Sequence, residues 1–438
     1  MNKRSIESLN SLQPSQYTAK SLGLNKALVS RHAMTVLKGL HKQGYDSYLV
    51  GGCVRDLLLG LEPKDFDVTT NASPEQVRRV FRNARIIGRR FKLVHVRFGR
   101  EIIEVATYRS APEQGQQDET LHRVGDEGRL LADNVYGTLD EDAMRRDLSA
   151  NALYYDPLNG DVLDYHHGLE DIRQGALRII GDPSTRLRED PVRMIRTIRF
   201  AAKLGFEIDP AAAKEIIRHV ELLTNVPPAR LFEEVLKLFH SGSAIDTFEK
   251  LRQFGLFRYL FPQTDKILES EEEGYPRTFL PLALSNTDKR IQQGKPVIPA
   301  FLYAVLLWEP FRAYRDQAMQ EGASAYDSIH PAADQVILEQ LASVAIPRRF
   351  TAQVREIWTM QYFFDQRKSR QVYRLLENRK FRAGYDFLLL RASVGQASTE
   401  VAEWWTLIQD VDENERKKMI MSLAGGGKKR RRRKKKKA

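Results

Sequence analysis

Cysteine is almost absent. Cys53 is the only one in 438 residues, so no internal disulfide can form and a reducing compartment is expected. Long apolar runs are missing as well, and with no stretch of about 18 apolar residues no membrane-spanning helix is expected. Met1-Asn2-Lys3-Arg4-Ser5 has no apolar segment behind it, so the reading expects no secretory leader and a cytoplasmic location. The nine histidines show no ligand spacing with Cys53 or with one another along a helix turn, which argues against a histidine-built metal centre. Internal repeats are lacking too. What remains is a chain with 42% hydrophobic residues, enough for more than one packed domain.

Charge is unevenly placed. Of the formal net charge of +12, ten units sit in the unbroken basic run from Lys428 to Lys437, leaving about +2 for the rest. The run follows Gly425-Gly426-Gly427, repels itself and cannot bury a core, so a disordered tail is expected. Its physical use is to displace counterions from a polyanion such as nucleic acid. A solvated solubility tail is the bland competitor.

The richest segment lies near the start. Tyr48-Leu49-Val50 reads as a strand and is followed by Gly51-Gly52-Cys53-Val54-Arg55-Asp56, a glycine turn opening a helix; Asp65-Phe66-Asp67 then reads as a second strand. A strand places residues 65 and 67 on one face. Two adjacent carboxylates repel unless a cation sits between them, and hard oxygen donors suit Mg²⁺. The side-chain-free turn lets backbone amides approach phosphate. Together these features read as a nucleotidyl-transfer site. Asp-x-Asp alone is common, and Asp65-Phe66-Asp67-Val68-Thr69 also fits the nucleophile motif of haloacid-dehalogenase-type phosphatases. That motif ends a buried apolar strand, which Leu61-Glu62-Pro63-Lys64 cannot form.

Further elements follow by the same rules. Residues 1–28 are polar and expected to be loosely ordered. Residues 31–40 have helical spacing of apolar side chains, and Ser73-Pro74-Glu75-Gln76 opens another helix with a cap and a first-turn proline. Strands are expected at 47–50, 65–69, 93–98 and 102–107, the last two joined by Gly99-Arg100, with 110–135 as a mobile loop. Beyond Asp182 the pattern is helical nearly to Leu423. The expected fold class is α+β, with a mixed-sheet head (31–165) after a polar extension (1–30), a helical neck (166–240), a helical body (241–424) and the tail (425–438). Glu104 shares its strand face with Ile102 and Ala106, so it reads as a charge set in an apolar surface, needing a metal or a basic partner. His95 reads as an inward strand residue.

Gly51-Gly52-x-Val54-Arg55-Asp56-Leu57-Leu58-Leu59-Gly60 with Asp65-x-Asp67 resembles the bacterial poly(A) polymerase and CCA-adding nucleotidyltransferase family. Arg145-Arg146-Asp147 with Asn151-Ala152-Leu153 resembles that family's ribose-contacting segment, Glu189-Asp190-Pro191-Val192-Arg193-Met194-Ile195-Arg196 its base-reading segment, and Pro227-Pro228-Ala229-Arg230 its neck helix. The resemblance spans about residues 45–240. It implies a nucleotidyltransferase head in which Asp65 and Asp67 hold two Mg²⁺ ions, with Glu104 and Asp147 as further candidates for the acidic centre. It also implies phosphate binding by Gly51, Gly52 and Arg55, and sugar recognition by Arg146 and Asp147. Base contacts fall to Asp190, Arg193 and Arg196. Three residues apart on a helix, Asp190 and Arg193 complement the amino and ring-nitrogen edge of adenine. Cytosine shows the same order, so the pair excludes guanine and uracil only. An N-cap role competes for Asp190.

Residues 86–96, Asp133-Asn134-Val135-Tyr136-Gly137, Tyr154-Tyr155-Asp156 and the basic tail resemble the polymerase branch, and the expectation is ATP-dependent 3′-polyadenylation of RNA. Implied partners are RNA 3′ ends, ATP and the RNA-degradation machinery. CCA addition to tRNA is the alternative. A phosphatase, or a non-catalytic RNA-binding protein, represents the other classes. In the helical half, Trp308, Trp358, Tyr362, Phe363, Phe364, Trp404 and Trp405 read as core rather than stacking platforms, and Arg348-Arg349, Arg367-Lys368-Ser369-Arg370 and Arg379-Lys380-Phe381-Arg382 as an RNA track.

Overall fold

The computed structural model describes residues 13–88, 92–110, 122–124, 130–133, 135–270 and 278–425; the basic tail lies outside them. The chain divides into two compact units, residues 1–222 and 223–438. The segment expected as one neck is therefore shared between the two.

The first unit is built on an eight-stranded mixed sheet. Its strands are β1 (Ser15–Thr18), β2 (Ser47–Val50), β3 (Asp67–Thr70), β4 (Ala84–Ile87), β5 (Leu93–Phe98), β6 (Glu101–Thr107), β9 (Leu153–Asp156) and β10 (Asp161–Asp164). Two more, β7 (His122–Val124) and β8 (Leu130–Asp133), pair separately inside the segment expected to be loop. The order across the sheet is β1-β10-β9-β2-β3-β6-β5-β4. Polar Ser15–Thr18 is thus an edge strand paired with β10, not loose chain. Only β3 and β6 run parallel in this sheet, which sets Asp67 beside Glu104.

Alternation fixes the two faces. On β5, Val94 and Val96 are buried; on β6, Ile103, Val105 and Thr107 are. Helix α1 (Arg31–Lys42) covers this closed face with a stripe of Ala33, Val36, Leu37 and Leu40, the i, i+3, i+4, i+7 spacing of an amphipathic helix. Its N-cap Ser30 accepts the His32 and Ala33 amides and also donates to Glu101, while the His32 ring stacks on Phe98. Between β2 and β3 runs α2 (Gly52–Leu58). Next, α3 (Pro74–Val80) starts with the expected Ser73 cap, reciprocated by Gln76, an arrangement worth about 1 kcal/mol. On the opposite face α4 (Leu139–Arg145) covers only the β2–β9 half, packing Ala143 and Leu139 against Val50, Tyr154 and Tyr48. After β10 come α5 (Gly168–Gln174), α6 (Pro183–Glu189), α7 (Val192–Leu204) and α8 (Pro210–His219). A two-residue pairing of β11 (Ala176–Leu177) with β12 (Glu207–Ile208) is the one strand past Asp182 among the described residues.

The second unit is helical from α9 (Pro228–Phe239) to its last described element, Glu413–Gly425. Trp308, Trp358 and Trp405 are buried, and Phe311 stacks on Trp358 with centroids 4.4 Å apart. The Trp358 and Trp405 indole N–H groups donate to the Ala304 and Phe364 carbonyls, so these rings are core, as their helical spacing indicates. Among the described residues no helix is long and apolar enough to cross a membrane.

Candidate active site

Val50 pairs with Asp67, so the chain leaves β2 into the glycine turn directly beside the first residue of β3. Gly51 has φ of 81°, which only glycine adopts without strain, and a Cβ there would lie 3.6 Å from Asp67 Oδ2. The Asp67 carboxylate therefore lies against the turn. Asp65 does not share its strand: β3 begins at Asp67, and Asp65 sits exposed in the preceding loop. The expected strand over 65–69 is two residues early, because pairing with β2 starts only opposite Val50.

Glu104 is next to Asp67 in the β3–β6 register. Its expected apolar setting is corrected: the face is open, and the Glu104 side chain is 49% exposed. His95, expected to point inward, stands opposite Glu104 on β5, and its Nε2 is 3.2 Å from Glu104 Oε1. Among the described residues it is the only hydrogen-bond partner of that carboxylate. Burial first, then Glu104, push the Asp67 carboxyl up to about 6, with Asp65 adding and Arg146 opposing. Negative charge is thus concentrated here, and Arg146 offsets it only in part. Among the described residues no three carboxylates, histidines or cysteines converge as a ready metal cage. Carboxylates beside a glycine turn do match Mg²⁺, which is usually held by one or two carboxylates with substrate phosphates and water. Cys53 is buried, its thiol donates to the Val50 carbonyl, and burial pushes it up to about 12, so it contributes no thiolate.

The arginines occupy places their sequence positions do not reveal. Arg55 is 1% exposed: Nε and Nη2 donate to Asp56, Nη1 donates to Asn151 at 2.5 Å, and the guanidinium lies over Phe200. It packs under Gly52, where a Cβ would lie 3.4 Å from its Nη2, so the guanidinium expected to bind phosphate is here buried against the turn. Arg146 donates to Asp142 and to the Tyr154 hydroxyl, both at 2.9 Å. Burial alone would lower it, but Tyr154 and Asp142 outweigh that and raise it. Asp147 lies 2.8 Å from Arg193 Nε and 2.6 Å from Arg196 Nη1. Burial would raise its carboxyl, yet Arg196 and Arg193 pull it down to about 2. Its carboxylate is thus engaged by both guanidinium groups. Glu104, by contrast, stands beside Asp67 in the sheet.

Asp190 is not on the helix with Arg193. It lies in the turn between α6 and α7 and accepts the Val192 amide, a local cap. Arg193 is 7% exposed and also donates to Glu189 and to the Arg186 carbonyl. Arg186 in turn donates to the Arg145 and Arg146 carbonyls, tying the two motif segments together. Burial, followed by Arg109, Arg186 and Arg193, lowers Arg145 to about 10. Such crowding of like charge suits an anion. Sequence reasoning missed His95, Asp142, Tyr154, Arg186 and this use of Glu189. His95 had a signal, since its strand alternation with Val94 and Val96 matches that of Glu104 with Ile103 and Val105.

Three family models match: "Poly A polymerase head domain" over residues 47–178, "Probable RNA and SrmB- binding site of polymerase A" over 205–268, and "Polymerase A arginine-rich C-terminus" over 321–437. Poly(A) polymerase I of Salmonella typhi is 46% identical over 396 residues, 90% of this chain and 85% of that protein. The chain belongs to the poly(A) polymerase family. As a family member it is a polynucleotide adenylyltransferase. The CCA-adding enzyme of Lactobacillus helveticus is 38% identical over 219 residues, only 49% of this chain. A Thermotoga maritima CCA-adding enzyme complexed with tRNA shares the fold, with TM-score 0.54 and 17% identity over 94% of this chain and 99% of that one.

Proposed function

We propose that this polymerase adds adenylate from ATP to RNA 3′ ends without a template, in the cytoplasm, forming poly(A) tails. The 3′-hydroxyl oxygen bonds to the α-phosphorus, the bond to the β-phosphate oxygen breaks, diphosphate leaves, and the hydroxyl proton passes to solvent. Asp67 and Asp65 are the residues that would hold Mg²⁺, which when bound would activate the hydroxyl and offset triphosphate charge. Gly51 and Gly52 leave their amides open to the triphosphate, and the crowded Arg145 neighbourhood favours the same anion. Arg146 and Asp147 border the sugar, with Asp147 fixing Arg193 and Arg196. Asp190 would accept the adenine amino group, with Arg193 held behind it. Exposed Arg348, Arg349 and Arg370 in the C-terminal unit would contact the RNA backbone.

One observation carries the chemistry: the Asp67 carboxylate, raised by burial and then by Glu104, lies against the Gly51 turn. The poly(A) reading over CCA addition is supported by likeness to poly(A) polymerase I along 90% of the chain. Purified protein with Mg²⁺, labelled RNA and each nucleotide separately is expected to give a long ladder with ATP alone. At most three additions that require CTP and a tRNA end would establish CCA addition instead.

A further inference from the structure

We propose that the open face of β4 and β5 is a phosphate-binding track for the RNA strand just upstream of its 3′ end, with Arg85 and Arg97 as its charged groups. The inference rests on the polymerase reading above. Arg85 pairs with His95, His95 with Glu104, and Glu104 with Asp67, so four neighbouring strands present one row of side chains ending at the acidic centre. Residues directly opposite each other project to the same face. Arg97 is two residues from His95 on β5, hence on that face too, opposite Ile102, which is 37% exposed.

Both arginines are exposed, and among the described residues neither side chain has a hydrogen bond or ion pair. Contrast Arg55, Arg146, Arg193 and Arg196, each held by a carboxylate. The nearby hairpin carboxylate, Glu101, is turned to the closed face and engaged by Ser30 and His32. Unpaired cations leading to an acidic centre suit a polyanion whose end must reach that centre. Guanidinium forks match phosphate oxygens, and Ile102 offers an apolar contact for a base or sugar. From β4 to β3 is three strand spacings, about 14 Å, the reach of a few nucleotides. Charge on an edge strand also deters strand-to-strand aggregation, which would explain Arg85 on β4. It does not explain Arg97, because β5 is interior.

The test compares full-length wild type, Arg85→Gln/Arg97→Gln, Arg97→Gln alone, and Lys38→Gln/Lys42→Gln on α1, an equal charge loss behind the closed face. Single-stranded RNA binding is measured across salt concentrations, with KM for RNA and for ATP and the oligomeric state. Losing two phosphate contacts should make the slope of log affinity against log salt shallower by about 1.4. The affinity lost between about 50 and 200 mM salt then shrinks about sevenfold. Arg97→Gln alone should give half the slope change. KM for RNA should rise and KM for ATP stay put, with the α1 control near wild type. A wild-type slope in the double variant, or an equal change in the control, overturns the proposal; new oligomers with an unchanged slope would assign edge protection only. Should wild type fail to extend RNA with ATP, the polymerase reading falls, while the slope comparison still judges the track.

Discussion

Asp147→Asn removes one charge from a partly buried clamp and leaves its shape. The Asp147 side chain is 17% exposed, and its carboxyl stands at about 2 against an ordinary 3.8, a separation of about 1.8 units. At about 1.36 kcal/mol per unit the ionised form contributes about 2.5 kcal/mol at neutral pH. A depressed carboxyl stabilises above its unfolded value and loses that contribution as pH falls through the folded one. The gap between wild type and variant should therefore be about 2.5 kcal/mol at pH 7 and about half that at pH 3. Two arginines left facing a neutral amide can add to the pH 7 loss. All four tryptophans lie in the C-terminal unit, so their fluorescence would miss this transition. Hydrogen exchange of α7 amides, corrected for intrinsic rates at each pH, reads it directly. Equal gaps at pH 7 and pH 3, or a loss below about 0.5 kcal/mol at pH 7, would refute the clamp as a source of stability.

Asp67→Ala should abolish AMP incorporation while circular dichroism stays native, since deleting one of several crowded carboxylates relieves repulsion; retained activity would reject its metal role. His95→Ala should lower kcat at constant KM for ATP, and His95→Gln, which can still donate near the Nε2 position, should restore most of it. Arg55→Leu should destabilise the N-terminal unit by roughly 3–5 kcal/mol in denaturant melts, because Asp56 loses its buried partner. Deleting 428–437 should flatten the salt dependence of RNA binding and spare KM for ATP; an unchanged slope would show that the tail makes no RNA contact.

Local chemistry made part of this legible in the sequence. Ser73-Pro74 starts a helix and Gly99-Arg100 turns a hairpin because cap and turn preferences act over a few residues. Leu153–Asp156 and Asp161–Asp164 gave little strand signal, being four residues each; they form a hairpin with each other, and their outer partners in β2 and β1 lie about 100 residues or more away. Polar Ser15–Thr18 has no alternation to detect, since its strand is exposed along the sheet edge. At the site, the glycine turn and the acidic residues follow from motif chemistry. The arginine partners do not. Asp142, Tyr154, Glu189 and Asn151 come from different elements, and only the assembled fold shows that Arg55 is braced and Arg193 clamped.

The parallel pairing of β3 with β6 sets a rule for which sequence changes this head tolerates. Asp67 and Glu104 sit abreast through the β3–β6 register, so the loops around α3, β4 and β5 in the intervening crossover can gain or lose surface residues without separating them. Dropping a single residue inside either strand would bring Ile103 or Val105 alongside Asp67 and turn the glutamate to the packed side. Length variation among relatives should accordingly gather in the crossover and avoid the strands.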